Sequence, residues 1–194
     1  MGDNPEKMGP LPRIQLDQAA RVIAAGGIVA YPTEAVFGLG CDPRNRAAVA
    51  RLLALKRRRL DKGLILIAAD FAQLEAFVAP LAPERMAQIR ATWPGPVTWL
   101  LPARETTPDW LTGRHQTLAV RVTAHPLAAA LCRACRSALV STSANLSRRP
   151  PARTGLQVRL RLGNAVDFIL PGATGPRRRP SQIRDARTGR IIRQ

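Results

Sequence analysis

The side chains of this chain that are best suited to chemistry are cations and hydroxyls. Lys56, Arg58, Lys62, Arg121 and Arg193 supply charge, while Ser141, Thr142, Ser143, Asn145 and Ser181 supply short polar groups. Such a set suits electrostatic stabilisation of phosphoryl chemistry, in which two substrates are aligned and their charge neutralised. Other mechanisms lack their parts: there is no Walker A run, no GxGxxG and no HExxH, and neither histidine has a nearby cysteine or serine elbow. Cys132 and Cys135 form a CxxC, but no second pair accompanies it and it falls late in an Ala/Leu-rich helical stretch, so both read as ordinary thiols.

Two placements within the set carry most information. Residues 141–147 read STSANLS directly after the apolar run Ala138-Leu139-Val140, so four hydroxyls and an amide stand where a buried strand ends. Such groups must find partners: either the loop satisfies itself or it binds an anion. Arg121 lies in the middle of LAVRV, an apolar strand in which a guanidinium must be paired, by a structural acid or by a ligand. Lys56 and Arg58 flank a helix end, where interaction with the helix dipole is the simpler role. Thr33, after Tyr31-Pro32, reads equally as a turn or cap residue.

The elements that must position these residues alternate between short apolar strands and helices. A helix is expected over 17–25, closed by Gly26-Gly27, followed by a strand at 28–31. In AVFGLGCD, two glycines within an apolar run predict close backbone approach. A helix over 47–56 ends in an arginine-rich turn, and a strand follows at 64–67. Further helices are expected at 70–77, capped by Asp70, and at 83–92, then a strand at 96–101 and a loop over 102–116. A strand at 118–122, a helix from His125-Pro126, a strand at 138–140, a helix at 155–162, a strand at 166–170 and a last strand pair around Ile183 and Ile191-Ile192 complete the pattern. The fold class is α/β, a mixed sheet flanked by helices, with ligands expected in a crevice outside the strand ends. Residues 1–12 read as a flexible tail and 13–194 as one domain.

Thirty Lys and Arg against thirteen Asp and Glu give the 194-residue chain a net charge of +17, which predicts a phosphate-rich partner. The excess clusters at Arg57-Arg58-Arg59, Arg148-Arg149 and Arg177-Arg178-Arg179. Only eight aromatic residues are present, too few for a base-stacking RNA-reading sheet. Three cysteines form no disulfide framework, and no stretch has the length of a membrane span or the apolar core of a secretory signal. The expected location is the cytoplasm.

Taken in order, the runs YPTEAVFGLGCD (31–42), LKRRRLDKGLI (55–65), WPGPVT (93–98), LAVRVTAHP (118–126), STSANLS (141–147) and PSQIRD (180–185) resemble the YrdC-like threonylcarbamoyl-adenylate synthases, over nearly everything from residue 15 onward. The resemblance implies a single YrdC-like domain, a twisted mixed sheet with a basic concave cleft. It implies synthesis of threonylcarbamoyl-AMP and pyrophosphate from L-threonine, bicarbonate and ATP with Mg2+; partner proteins then transfer the threonylcarbamoyl group to the adenosine beside the tRNA anticodon. By the same resemblance Thr33, Arg121, Thr142 and Ser181 would hold L-threonine, with Arg121 forked onto its carboxylate. Lys56 and Arg58 would clamp the ATP phosphates, Thr117, Ser143, Asn145 and Arg193 would make further nucleotide contacts, and Lys56, Arg58, Arg121 and Ser143 would carry catalysis. Metal ligands are not implied. Ala35 stands where many relatives have a second threonine, Arg59 where KxRP is common, and Arg148 where a glycine is frequent.

The rival from another class is a basic module that binds double-stranded RNA or tRNA without synthase activity. Weak RNA binding and synthesis can also coexist on one chain.

Overall fold

A computed structural model describes residues 13–147, 149–177 and 181–193. The expected tail at 1–12, together with Arg148, Arg178 and Arg179, lies outside the described residues.

The strands are β1 (Val29–Pro32), β2 (Phe37–Gly40), β3 (Ile65–Ala68), β4 (Val97–Pro102), β5 (Thr117–Val122), β6 (Leu139–Ser143), β7 (Phe168–Ile169), β8 (Gln182–Asp185) and β9 (Ile191–Arg193). They form one mixed sheet in the order β7-β1-β2-β6-β3-β5-β4-β8-β9. The helices are α1 (Arg13–Ala24), α2 (Arg46–Lys56), α3 (Pro83–Arg90), α4 (Asp109–Thr112), α5 (Pro126–Ala134) and α6 (Gly155–Leu162). No helix among the described residues is long and apolar enough to cross a membrane.

Period-two alternation divides each strand between the two faces of the sheet. Ala30, Leu39, Leu66, Val120 and Val140 point to one core, which α2, α3 and α6 close with Val49, Leu52, Ile89 and Val158. Val29, Tyr31, Ile67 and Leu139 point to the other, which α1 and α5 close with Leu16, Ile23, Leu127 and Leu131. The second face is covered only in part. Thr117, Ala119 and Arg121 of β5 and Leu100 of β4 lie on it and line an open cleft. The cleft therefore runs across a sheet face with loops as its walls, and does not sit outside the strand ends as the sequence suggested.

The expected close approach in AVFGLGCD occurs inside a strand. Tyr31 pairs with Gly38, and its ring lies over Gly38 and Gly40, so a Cβ at Gly40 would stand 2.8 Å from the ring and 2.6 Å from the Val140 carbonyl oxygen. Two further expectations change. The helix from Asp70 shrinks to a single 3-10 turn, Ala72–Leu74, with Asp70 Oδ1 accepting from Gln73 N. The loop 102–116 contains α4, whose Leu111 is fully buried.

Candidate active site

The cleft has a volume of about 790 Å3. Of the residues expected to act, Thr33, Arg58, Thr117, Arg121, Thr142, Ser143, Ser181 and Arg193 all line it, as does Lys62 from the wider cation set. Lys56 and Asn145 do not. Five cations, Arg58, Lys62, Arg121, Arg177 and Arg193, face one lining carboxylate, Glu34.

Each side chain is placed by a local feature. Asn45 caps α2 through a 3.0 Å bond from Ala48 N, and α2 ends where Arg57 adopts a left-handed conformation, φ 47°. That turn sends Arg58 back across the chain, where its Nη2 donates to the Gly63 carbonyl at 2.8 Å. Gly63 itself needs a positive φ of 60°, and a Cβ there would meet the Thr112 carbonyl oxygen at 2.9 Å. Burial and the neighbouring Arg193 charge push the Arg58 pKa below its ordinary value. Two guanidiniums that repel each other across a cleft form a site for an anion.

Lys56 is 8% exposed and turns away from the cleft. Its Nζ donates to the carbonyl oxygens of Ser143 and Asn145, each at 2.6 Å, and to Asn145 Oδ1. Burial first, and Arg58 second, push its pKa down to about 8, still above neutral pH. Asn145 Oδ1 also accepts from Ser143 Oγ at 2.7 Å, and its Nδ2 donates to the Arg149 carbonyl at 2.6 Å. The STSAN polar groups thus divide: Asn145 and Lys56 satisfy each other, Ser141 Oγ accepts from Tyr31 Oη at 2.9 Å, and Thr142 and Ser143 line the cleft. Burial pushes the Tyr31 phenol far above its ordinary pKa, so it stays a neutral donor.

Arg121 has a structural partner after all. Glu34 Oε2 lies 3.4 Å from Arg121 Nη2, with both side chains about nine-tenths buried. Burial alone would raise the Glu34 pKa, but the Arg121 charge and hydrogen bonds from Thr123 and Ala124 outweigh it and hold the carboxyl below the usual range. Ser181 is held by Thr98, whose Oγ1 donates to its Oγ at 3.0 Å, and Thr33 Oγ1 donates to the Val36 carbonyl at 2.7 Å. Arg193 Nη2 reaches the Ser181 carbonyl at 3.4 Å.

Sequence reasoning passed over Glu34, Thr98 and His115, and named Arg177 only as part of an arginine cluster. Glu34 stands in the PTE run itself, and the signal that could have found it is an acid in an otherwise apolar segment, the counterpart that the buried Arg121 requires.

These features define an α/β domain with a cationic, hydroxyl-lined cleft across an open sheet face, able to hold more than one anionic group. The family model Sua5/yciO/yrdC, described as "Telomere recombination", matches residues 21–194, and the chain belongs to that family. Over 94% of the chain and 98% of its own length, a Nitrosococcus oceani protein named threonylcarbamoyl-AMP synthase is 60% identical. A protein of the same name from Halorhodospira halophila is 57% identical over 91% of the chain and 92% of its own. Among solved structures, P. abyssi Sua5 complexed with L-threonine is 32% identical with a TM-score of 0.85. The likeness takes in 91% of this chain and 52% of that one, so the chain spans about half the length of that neighbour.

Proposed function

We propose that the chain is a threonylcarbamoyl-AMP synthase, a nucleotidyltransferase that converts L-threonine, bicarbonate and ATP to L-threonylcarbamoyladenylate and pyrophosphate. The threonine amine and bicarbonate condense with loss of water to a carbamate, whose oxygen attacks the α-phosphate with pyrophosphate leaving. One observation carries the reading: the residues suited to a carboxylate and those suited to a triphosphate open into one cleft. Arg121, Thr33, Thr142 and Ser181 hold L-threonine. Arg58, Thr117, Ser143 and Arg193 receive the nucleotide beside it, while Lys56 and Asn145 support the nucleotide contacts through the loop that they tie down. No side chain is placed as a general base, so alignment and charge neutralisation supply the rate.

No three His, Cys, Asp or Glu side chains gather as a metal site among the described residues, and the lining carboxylate Glu34 is committed to Arg121 and Thr123. In this reading magnesium enters with ATP, held by phosphate oxygens and water. The unstable adenylate passes to tRNA threonylcarbamoyl-transfer proteins in the cytoplasm, and the basic surface permits weak tRNA contact. Residues 13–194 act as one catalytic domain. The family relatives favour this reading over a module that only binds RNA.

The test is pyrophosphate release by purified protein with ATP and magnesium, omitting L-threonine and bicarbonate in turn. Release that requires both is expected. Background release with both present refutes the synthase reading.

A further inference from the structure

The pair between Arg121 and Glu34 is incomplete in a specific way. Their contact is one 3.4 Å approach, longer than a charge-assisted hydrogen bond. Arg121 Nε and Glu34 Oε2 are both buried without a hydrogen-bond partner. A carboxylate free to rotate would close onto the guanidinium fork with two short bonds. Glu34 is not free. Its Oε1 accepts from Thr123 Oγ1 at 2.8 Å and from Ala124 N at 3.1 Å, and Thr123 Oγ1 in turn accepts from His125 N at 3.2 Å. The His125 N–H occupies the acceptor side of the Thr123 hydroxyl, so the hydroxyl proton is committed to Glu34. The loop above it is fixed as well: Arg177 N donates to the Glu34 carbonyl at 3.1 Å, and Gly175 lies too close to that carbonyl to carry a Cβ.

We infer that Glu34, anchored by Thr123, is a positioning residue that holds Arg121 half-paired, oriented and charged yet unsaturated, so that its fork can take a second carboxylate from the cleft. This rests on the reading of the cleft as an L-threonine site and adds to it the device that keeps Arg121 available. A fully formed Glu34–Arg121 fork would compete with the ligand; no acid at all would leave a buried guanidinium unpaired.

Thr123→Val separates the two roles, because it keeps both charges and touches no substrate. Released on one side, Glu34 swings onto Arg121. The expected result is a rise of about tenfold in KM for L-threonine, the scale of one charged hydrogen bond, with KM for ATP within about twofold. Thr123→Ser, which restores the hydroxyl, returns KM for L-threonine to the wild-type value. Glu34→Gln raises the same KM and leaves that for ATP alone; if this variant fails to fold, the Val and Ser pair at 123 still decides. An unchanged KM for L-threonine in Thr123→Val, or equal rises for both substrates, overturns the inference while the synthase reading stands. A wild-type rate indifferent to L-threonine overturns both.

Discussion

Replacing Lys56 by Met tests whether this side chain acts on the nucleotide or on the loop. The substitution keeps length and apolar stem but removes the ammonium that serves two carbonyls and Asn145 Oδ1. A hydrogen bond made by a charged group contributes roughly 1.5–3 kcal/mol net. Three bonds from one ammonium do not sum, because that ammonium also bears a desolvation cost and the freed carbonyls can rehydrate. A loss of about 3 kcal/mol is therefore expected, which for a domain of this size lowers Tm by roughly 6–12 °C. The assay is urea unfolding at pH 7 together with KM and kcat from pyrophosphate release. Asn145→Ala should cost less alone, and the double variant should cost little more than Lys56→Met, since both remove one network. The variant is expected to lose kcat, because Ser143 on the cleft wall is no longer fixed. If Lys56→Met unfolds within about 0.5 kcal/mol of wild type while only KM for ATP rises, the ammonium works directly on phosphate and the loop argument is wrong.

Two further predictions concern stability. Arg57 carries a positive φ of 47° at the end of α2 and is exposed; Arg57→Gly removes the Cβ clash of that conformation and should stabilise by up to about 1 kcal/mol. Urea unfolding checks this, with no change in pyrophosphate release; a destabilised variant would contradict the left-handed assignment. In Glu34 and Asp167 the carboxyl pKa is held below its ordinary value. In Asp167 burial works upward, but Arg51 and the Ile28 N–H outweigh it. Because the folded pKa values are the lower ones, the unfolded chain takes up these protons first as pH falls. The stability they contribute is complete above roughly pH 5 and is lost on acidification through the folded values. The urea midpoint should fall between pH 5 and 3, less steeply in Glu34→Gln; a rise would refute the assignment.

Most of the fold was legible because the two periodicities are clean. β5 alternates buried and half-buried along all six residues, and α5 presents Leu127, Leu131 and Cys132 on one side. β2 was hidden because its FGLG carries glycine at each position facing Tyr31, and glycine carries no period-two signal. The helix expected after Asp70 is replaced by successive i→i−3 turns, Leu74 N to Phe71 O, Glu75 N to Ala72 O and Phe77 N to Leu74 O, which bury Leu74 and Phe77 and bring Val78 to bridge Ala103. Most of the proposed site residues do line the cleft, since the segments bearing them flank or form the strands around it. The direction of Lys56 was not legible: a lysine at a helix end can point to solvent, ligand or loop, and only the approach of Asn145 from 89 positions away decides it.

The arrangement also explains why the cleft is so short of acids. A site for the two anionic substrates proposed above would gain from positive potential, but buried cations repel one another and cost desolvation unless paired. The fold resolves the conflict in two ways. Where the nucleotide is proposed to bind, Arg58 and Arg193 have backbone carbonyls as their partners, so an incoming phosphate would relieve the repulsion between them. Where L-threonine is proposed to bind, Arg121 sits deeper and needs an acid even when the cleft is empty; Glu34 supplies it, and Thr123 is its hydrogen-bond partner. The more exposed cations can wait for their ligand, whereas the buried one must be kept waiting by a partner that does not close on it.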